Sequence, residues 1–231
     1  MVAQLTAVTS VRSLVPARDR CLPVDEVFAS LLPDAGLQRG RIVGCSGVAA
    51  WSLALGVISR AVGTGSWAAF VGTPAIGLEA ASELGVALER VVLVDVDGSP
   101  SVWAERVAAA ADGFELVITC PPTGAERVAR RVRQRLQARG VVLLAVSAST
   151  PSLACDVELV STAVTWAGIG QGSGYLMARR VTVAVTGRRV PRRRERELLL
   201  PCPNGRMRLL EGDADEGNAV GDDELERART A

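Results

Sequence analysis

Residues 40–56, GRIVGCSGVAAWSLALG, decide how this chain is interpreted, because they join a β-like run to a run with helical spacing through a turn of small residues. The β-like run contains Ile42 and Val43. A phosphate-binding loop has the same order and reads G-x-x-x-x-G-K-[ST], because its backbone N–H groups cradle phosphates and its lysine reaches the terminal ones. Residues 40–56 therefore have the outline of such a loop.

The positions that carry the chemistry of that loop hold other residue types. Counting from Gly44, Ala49 replaces the second glycine, Ala50 replaces the lysine and Trp51 replaces the hydroxyl residue. Alanine restricts φ where glycine is wanted, and the indole ring stands where a hydroxyl would meet a metal ion. We describe the segment as a vestigial phosphate loop and expect it to bind no cofactor; weak nucleotide binding and an ordinary β-to-α turn remain alternatives. Its members are Gly44, Ser46, Gly47, Ala49, Ala50 and Trp51.

Composition excludes several kinds of enzyme. The chain has 231 residues, its 26 basic residues are all arginine, and it contains no histidine. Lysine-dependent phosphate loops, Schiff bases and Ser-Lys dyads are therefore excluded, as are Ser-His-Asp and Cys-His catalysis and imidazole metal ligands. Arginine does not act as a general base near neutral pH. Asp95 and Asp97 follow an apolar run without a third ligand, which indicates a solvated turn, so we predict no metal site and no catalytic residue.

Cysteine usage and hydropathy favour a cytoplasmic protein. The five cysteines are scattered without a C-x-x-C pair, which indicates buried thiols in a reducing compartment. No basic-then-apolar leader opens the chain. Residues 42–59 and 61–78 are uncharged, but their glycines, hydroxyl residues and proline favour a covered parallel sheet over a membrane span. We therefore expect no membrane contact.

Short apolar runs alternate with amphipathic segments, which predicts βαβ units around a mostly parallel central sheet flanked by helices. Strands are predicted from near Arg41 and at 66–72, 90–96, 114–120 and 141–149, and helices at 49–63, 75–86, 99–113 and 124–140. Residues 157–189 have two β-rich arms around a glycine-rich centre, which predicts a β-hairpin added to the sheet. Trp67, Trp103 and Trp166 are expected in the core or covering the sheet.

Charge divides the C-terminal part of the chain. Residues 179–208 contain ten arginines and two glutamates, whereas residues 209–231 contain eight acidic residues and two arginines. We predict an N-terminal arm (1–21), a core with the hairpin (22–187), an arginine-rich segment (188–208) and a disordered acidic tail (209–231).

Two segments around the turn resemble the bacterial RecA recombinase core: GLQRGRIV at residues 36–43 and SLAL at residues 52–55. Within the RecA-like proteins the chain is similar to the ImuA group, of the short actinobacterial ImuA-prime type. The segments that carry this likeness are LLPDAGLQRGRIV, VGTPAIGLEAASELGVALERVVLVD and WAGIGQGSGYLMARR. The resemblance spans residues 22–200 and implies a RecA-like α/β core.

The RecA resemblance also implies catalytic positions that this chain leaves vacant. A carboxylate is expected just after the strand that ends at Val71, but the first acid is Glu79. An aspartate that supports Mg²⁺ is expected where Thr119 stands, and a polar pair that senses the γ-phosphate is replaced by Ser147-Ala148. Phosphoryl transfer depends on positioned charge, so we expect no ATP hydrolysis.

The ImuA resemblance implies a non-enzymatic accessory role in DNA-damage-induced mutagenesis. The implied partner is ImuB, a Y-family-polymerase-like protein, with an error-prone C-family polymerase and RecA as further candidates. We expect residues 179–231 and the hairpin to carry partner contacts. The alternatives are a RecA-family ATPase with an atypical nucleotide site and a regulator of RecA filaments.

An arginine cluster follows the hairpin and is the candidate contact surface. It could hold the phosphate backbone of DNA weakly and without sequence specificity, face an acidic partner, or simply be solvated. The short connections after the third and fourth core strands offer no channel or stacking platform for single-stranded DNA. The cluster consists of Arg188, Arg189, Arg192, Arg193, Arg194 and Arg196.

Overall fold

A computed structural model describes residues 20–74, 76–96, 99–149, 153–170, 173–202 and 204–210. The strands are β1 (Cys21–Leu22), β2 (Leu37–Gln38), β3 (Ile42–Gly47), β4 (Ala68–Val71), β5 (Val91–Val94), β6 (Leu116–Thr119), β7 (Val142–Ser147), β8 (Val157–Gly170), β9 (Ser173–Thr186), β10 (Arg194–Leu199) and β11 (Arg208–Leu210). The α-helices are α1 (Glu26–Ala29), α2 (Ala50–Gly63), α3 (Leu78–Glu83), α4 (Pro100–Gly113) and α5 (Ala129–Arg139), with 3₁₀ turns at Leu88–Arg90 and Ala125–Arg127.

Nine strands form one sheet in the order β11-β10-β9-β8-β3-β7-β6-β4-β5, and β1 and β2 form a separate antiparallel pair. The pairings from β5 to β8 are parallel, and those from β8 to β11 are antiparallel. This confirms the predicted α/β fold with a mostly parallel central sheet flanked by helices and a C-terminal hairpin. No helix in the described ranges is long and apolar enough to cross a membrane.

The parallel strands bury both of their faces because helices cover both sides of the sheet. Successive side chains of a strand point to opposite faces. Val43 of β3 accordingly packs in the cluster that contains α1 and α2, whereas Ile42 packs in the cluster that contains α4 and α5. Such two-sided burial explains why these strands are continuous apolar runs in the sequence.

Local signals set the helix boundaries close to their predicted positions. Pro100 occupies the first turn of α4, and the Ser99 hydroxyl accepts a hydrogen bond from the Val102 N–H, as expected of an N-cap. Helix α5 ends at Gly140, whose φ of 67° is left-handed. Helix α3 is shorter than predicted, and the predicted helix at 124–140 begins as a 3₁₀ turn.

The predicted hairpin is confirmed as two 14-residue strands, β8 and β9, that pair from Glu158 with Thr186 to Gly170 with Ser173. Only residues 157–161 of β8 also pair with β3. Among the described residues, 162–170 and 173–178 pair only within the hairpin, which therefore extends past the end of β3.

Two strands that the sequence did not predict lie in the arginine-rich segment and across its boundary with the acidic tail. Strand β10 pairs with β9, and β11 pairs with β10. Leu198 of β10 is fully buried opposite Val181, which explains how so charged a segment joins the sheet. Leu209 and Leu210, which we assigned to the acidic tail, lie in β11. Most of the predicted N-terminal arm and residues 211–231 of the tail lie outside the described residues.

Candidate functional site

The turn after β3 differs from the predicted loop because the strand continues through Gly47. Gly44 pairs with Ala145 of β7 and Glu158 of β8, and Ser46 is likewise paired on both sides. Only residues 48 and 49 connect the strand to α2. The interpretation of Gly44 and Ser46 as loop residues was wrong, because their backbones belong to sheet ladders rather than to an anion cradle.

The Ser161 hydroxyl closes the remaining turn. It accepts a hydrogen bond from the Ala49 N–H at 2.9 Å and donates one to the Ser46 carbonyl at 3.1 Å. Gly47 has a φ of 90°, and a Cβ atom there would collide with the Ser161 carbonyl oxygen. The backbone group that could meet a phosphate at the start of α2 is therefore already bonded, and its partner is buried.

Charge at this edge also has the wrong sign for a phosphate. The Ser46 hydroxyl donates to Glu158 Oε1 at 3.0 Å, which holds a carboxylate one strand away from the turn. A phosphate-binding loop places positive charge at this place instead. Trp51 is partly buried and packs against the hydrophobic core beside α2. All six members of the vestigial loop are thus used in the strand, the turn or the start of the helix.

The ends of the neighbouring strands hold hydroxyl groups that the fold uses internally. Thr119, at the end of β6, is fully buried and its hydroxyl accepts a 2.7 Å hydrogen bond from the Trp103 indole. The Ser147 hydroxyl, at the end of β7, accepts one from the Ser149 N–H. Glu79 is exposed at the start of α3. The hydroxyl groups of Thr119 and Ser147 are therefore hydrogen-bonded within the protein.

No three His, Cys, Asp or Glu residues within the described ranges lie together as a metal site would require. Asp95 follows β5, and Asp97 lies outside the described residues.

Two buried cysteines lie close to β3. Burial raises the pKa of the Cys155 thiol to about 12, and burial likewise raises the pKa of the Cys45 thiol. Neither thiol is a nucleophile near neutral pH, since the thiolate is the reactive form.

The buried carboxylate that organises the opposite end of β3 was missed in the sequence. Asp156 is 4% exposed, accepts the Ile42 N–H at 3.0 Å, and bonds Arg133 at 2.6 Å and Arg188 at 3.2 Å. Burial raises the pKa of Asp156, but the Ile42 and Arg133 hydrogen bonds and the charges of both arginines outweigh burial, and the net pKa is lowered. No local signal could have found this cluster, since Arg133 and Arg188 are 23 and 32 residues from Asp156.

The structure does not bring the six arginines of the predicted cluster into one site. Arg188 bonds the buried Asp156, and the Arg189 N–H donates to the Asp156 carbonyl, so this pair anchors the end of the hairpin. Arg193 forms an ion pair with Glu195 at 3.0 Å. The three exposed arginines that carry no ion pair within the described chain and lie on or just before β10 are Arg192, Arg194 and Arg196.

Those three residues form what we call the arginine row. Arg194 and Arg196 pair with Val185 and Val183 of β9, so both point to the same face of the sheet. Glu195 and Glu197 point to the opposite face, where Glu197 meets Arg180 at 3.5 Å. Within β10 the alternation therefore places the two arginines on one face and the two glutamates on the other.

Exposed apolar side chains lie on the part of the hairpin that extends past β3. Trp166, Leu176 and Met177 are 45%, 52% and 37% exposed, and we call them the distal hairpin surface. The Arg179 guanidinium stacks 5.0 Å from the Trp166 ring and donates from Nε to the Leu200 carbonyl. Of the three tryptophans expected in the core or covering the sheet, Trp103 is 1% exposed, whereas Trp67 and Trp166 are 44% and 45% exposed.

Comparison with known proteins finds similarity to one protein family and to one mycobacterial protein. Residues 30–152 match the family described as the MT3502 N-terminal domain. The chain is also 33% identical over 136 residues to the uncharacterized protein Rv3395c of Mycobacterium tuberculosis. That similarity covers 53% of this chain and 65% of the length of the mycobacterial protein. The family match takes in β3 to β7, α2 to α5 and the turn closed by Ser161, and on this evidence the chain belongs to the MT3502 N-terminal domain family.

Proposed function

We propose that this protein is a non-catalytic, RecA-like accessory factor of DNA-damage-induced mutagenesis in the cytoplasm. It acts by contacting an ImuB-like, Y-family-polymerase-like subunit, with an error-prone C-family polymerase and RecA as further candidate partners. The pathway and the partners come from the resemblance of residues 22–200 to the ImuA group of RecA-like proteins. The geometry of the protein indicates which of its surfaces is suited to such contacts.

The distal hairpin surface is the observation that carries the proposal. Aromatic residues, methionine and arginine are enriched in protein–protein interfaces, and Trp166, Met177 and the stacked Arg179 supply all three on one hairpin. The surface belongs to a segment paired only within itself among the described residues, so a partner can approach it from more than one side. Trp166 pairs with Arg179, which lies two residues from Met177, so these three exposed or half-buried side chains share one face of the hairpin. An exposed surface of this composition is typical of interaction sites.

The closed turn after β3 supports an accessory role without nucleotide chemistry. A nucleotide would have to displace the Ser161 hydroxyl from the Ala49 N–H, and it would meet the Glu158 carboxylate without a lysine to offset it. Phosphoryl transfer needs positioned positive charge at that place. The alternative of a nucleotide-dependent ATPase therefore requires a rearrangement of β8 relative to α2.

The experiment that tests the proposal is a binding and mutagenesis assay on a matched pair of variants. The first is W166E/M177E on the distal hairpin surface. The second is L93E, which places a single glutamate on a 59% exposed leucine of β5 at the opposite edge of the sheet. We expect the first variant to lose at least tenfold in affinity for the ImuB-like subunit, which is about 1.4 kcal/mol, and L93E to bind normally.

The same pair is then expressed in a strain that lacks the gene. Damage-induced mutation frequency is expected to return to the uninduced level with W166E/M177E and to be restored by L93E. Normal binding and mutagenesis by W166E/M177E would refute the proposal.

Titration of Mg·ATP, followed through Trp51 fluorescence, tests the alternative of a nucleotide-dependent ATPase. Binding of Mg·ATP tighter than about 100 μM, or about 5.5 kcal/mol, would favour a nucleotide switch.

A further inference from the structure

Arg179 is a charged side chain that the fold holds in one position beside the distal hairpin surface. It lies opposite Trp166 in the β8–β9 pair, and its guanidinium stacks 5.0 Å from the indole ring. Its Nε–H donates to the Leu200 carbonyl at 2.8 Å, and its backbone exchanges hydrogen bonds with the Leu200 N–H and the Pro201 carbonyl. The tryptophan and the backbone that follows β10 therefore orient the guanidinium before any partner arrives.

The charge of Arg179 has no carboxylate beside it in the part of the chain that the structure describes. Its guanidinium contacts the Trp166 ring and the Leu200 carbonyl, whereas the neighbouring Arg180 points to the opposite face and pairs with Glu197. Burial lowers the pKa of Arg179, because the half-buried guanidinium loses water without gaining a counter-charge. A guanidinium carries five N–H donors, and the Leu200 carbonyl takes the one on Nε. The Nη groups are therefore the donors that a partner's acceptor would meet.

Apolar side chains lie on the same face of the hairpin as Arg179. Trp166 and Met177 are exposed on either side of it. Next along the strands Val164 lies opposite Val181, which is fully buried, and Val164 packs against the core. The face therefore passes from the buried core to exposed apolar side chains, with the Arg179 guanidinium among them.

The amount of positive charge at this place favours a carboxylate over a phosphate. A phosphorylated side chain carries roughly −1.5 to −2 charges at neutral pH, and a nucleic acid needs a series of cations along its backbone. One guanidinium between apolar side chains matches one carboxylate instead. The planar guanidinium also fits the two oxygens of a carboxylate with paired hydrogen bonds.

We propose that this surface binds a partner segment in which an aspartate or glutamate lies between apolar residues. The carboxylate accepts hydrogen bonds from the Nη groups of Arg179, and the apolar residues pack on Trp166 and Met177. The stack on Trp166 restricts the rotamers of Arg179, so little side-chain entropy is lost on binding. The inference rests on the proposed function, because it assigns a chemistry to the partner of the same surface.

Arg90 provides a matched control on the parallel half of the sheet. Its guanidinium stacks 5.7 Å from the Trp67 ring, and its Nη1 donates to the Gly65 carbonyl at 2.9 Å. R179Q and R90Q therefore each remove one arginine that stacks on a half-exposed tryptophan and bonds a backbone carbonyl. Similar losses of thermal stability are expected, so a difference in binding between the two variants does not come from folding.

Selection of a random peptide library, displayed on phage, against the full chain tests the proposal without the ImuB-like subunit. Peptides that bind the wild type and R90Q, but not W166E/M177E, are expected to share an acidic residue between apolar residues. With R179Q the preference for the acid should be lost and the preference for apolar residues should remain. Failure to select any peptide, selected peptides without the acid, or the same acid preference with R179Q would each overturn the proposal.

A synthetic peptide of the selected sequence separates a carboxylate site from a phosphate site. Replacement of its acid by the matching amide should weaken binding to the wild type at least tenfold and leave binding to R179Q unchanged. Replacement by phosphoserine should weaken binding to the wild type at least threefold. Equal or tighter binding of the phosphoserine peptide would overturn the assignment to a carboxylate.

Affinity for the ImuB-like subunit distinguishes failure of this inference from failure of the proposed function. Both hold if W166E/M177E and R179Q lose at least tenfold in affinity and R90Q binds normally. If W166E/M177E loses affinity while R179Q and R90Q bind alike, the proposed function stands and the carboxylate inference is overturned. If all three variants bind the subunit normally while the peptide selection succeeds, the proposed function fails and the carboxylate site stands.

Discussion

The parallel half of the sheet and its antiparallel half differ in how far their side chains are buried. Strands β4, β6 and β7 are almost wholly buried, because α2 covers one face and α4 and α5 cover the other. Four of the six residues of β10 are exposed, and the outer part of the hairpin pairs only with itself among the described residues. The first half buries its side chains on both faces, whereas much of the second half exposes its side chains to solvent.

Strand β8 joins the two halves, and it also closes the turn that follows β3. Its Ser161 hydroxyl holds the turn between β3 and α2, and its outer part carries Trp166. The family match stops at residue 152 and so covers the parallel half alone.

The largest expected difference between the halves is in core packing. Leu144 is fully buried on β7 and pairs with Val43 and Ile118 on its two neighbours. Leu144→Ala is expected to lower the free energy of unfolding by about 3–4 kcal/mol, because it removes buried methyl groups and leaves a cavity. Leu176→Ala, on the exposed hairpin, should change it by less than about 1 kcal/mol. Urea denaturation measures the free energy of unfolding of both variants. Equal losses would contradict the stated difference between the two halves of the sheet.

Asp156 gives the next largest effect, because it ties the parallel half to the end of the hairpin. Asp156→Asn removes the charge that Arg133 and Arg188 share and should destabilise the fold by about 2 kcal/mol, less than a fully buried pair because Arg188 is half exposed. Asp112→Asn is the matched control: Asp112 also meets two arginines, but at the surface. Little change is expected there. A comparable loss in both variants would show that burial of Asp156 is not what matters.

The pH dependence of stability gives the same cluster a second signature. The folded pKa of Asp156 is lowered below its unfolded value, so its contribution is fully present above the unfolded pKa and is lost as pH falls through the folded pKa. The stability difference between wild type and Asp156→Asn should stay constant from pH 7 to about 5 and shrink below that, since an unfolded aspartate titrates near about 3.9. A difference that grew in acid would contradict the lowered pKa.

Removal of the Ser161 hydroxyl, on the strand shared by the two halves, is expected to lower the free energy of unfolding by a smaller amount. Ser161→Ala leaves the buried Ala49 N–H without its acceptor and should cost about 1–2 kcal/mol. Thr162→Val is the control one residue away, where an exposed hydroxyl makes only a 3.4 Å hydrogen bond. That variant should stay within about 0.5 kcal/mol of the wild type. Equal stability of Ser161→Ala and the wild type would mean that water replaces the hydroxyl and that the turn is more open than its geometry indicates.

The strands and helices of the parallel half could be predicted from the sequence because the signals for them are local. Apolar runs, helical periodicity and stop residues such as Gly140 lie within each element, so the sheet and its helices were predicted. The extent of β3 was not, since the sequence GCSG has weak strand propensity and pairing with β7 and β8 overrides it. Turn composition therefore indicated a loop where two neighbours impose a strand.

The antiparallel half shows where local signals fail. The run RERELL of β10 is mostly charged, and only Leu198 and Leu199 at its end are buried. An antiparallel strand with one solvated face needs little apolar content. The Asp156 cluster was missed because its three members come from distant segments. The sequence predicted one contact surface made of six arginines. In the structure Arg188 bonds the buried Asp156, Arg193 pairs with Glu195, and three others form the exposed arginine row.

The smallest expected effect separates stability from interaction most cleanly. Trp166 and Trp67 are both close to half exposed, and each ring lies under an arginine, Arg179 at 5.0 Å and Arg90 at 5.7 Å. Trp166→Leu and Trp67→Leu each remove one such contact and retain an apolar side chain, so each should cost about 0.5–1 kcal/mol. Thermal unfolding should therefore rank them alike. If the halves differ in role, affinity for the ImuB-like subunit falls only in Trp166→Leu, and the difference cannot be ascribed to stability.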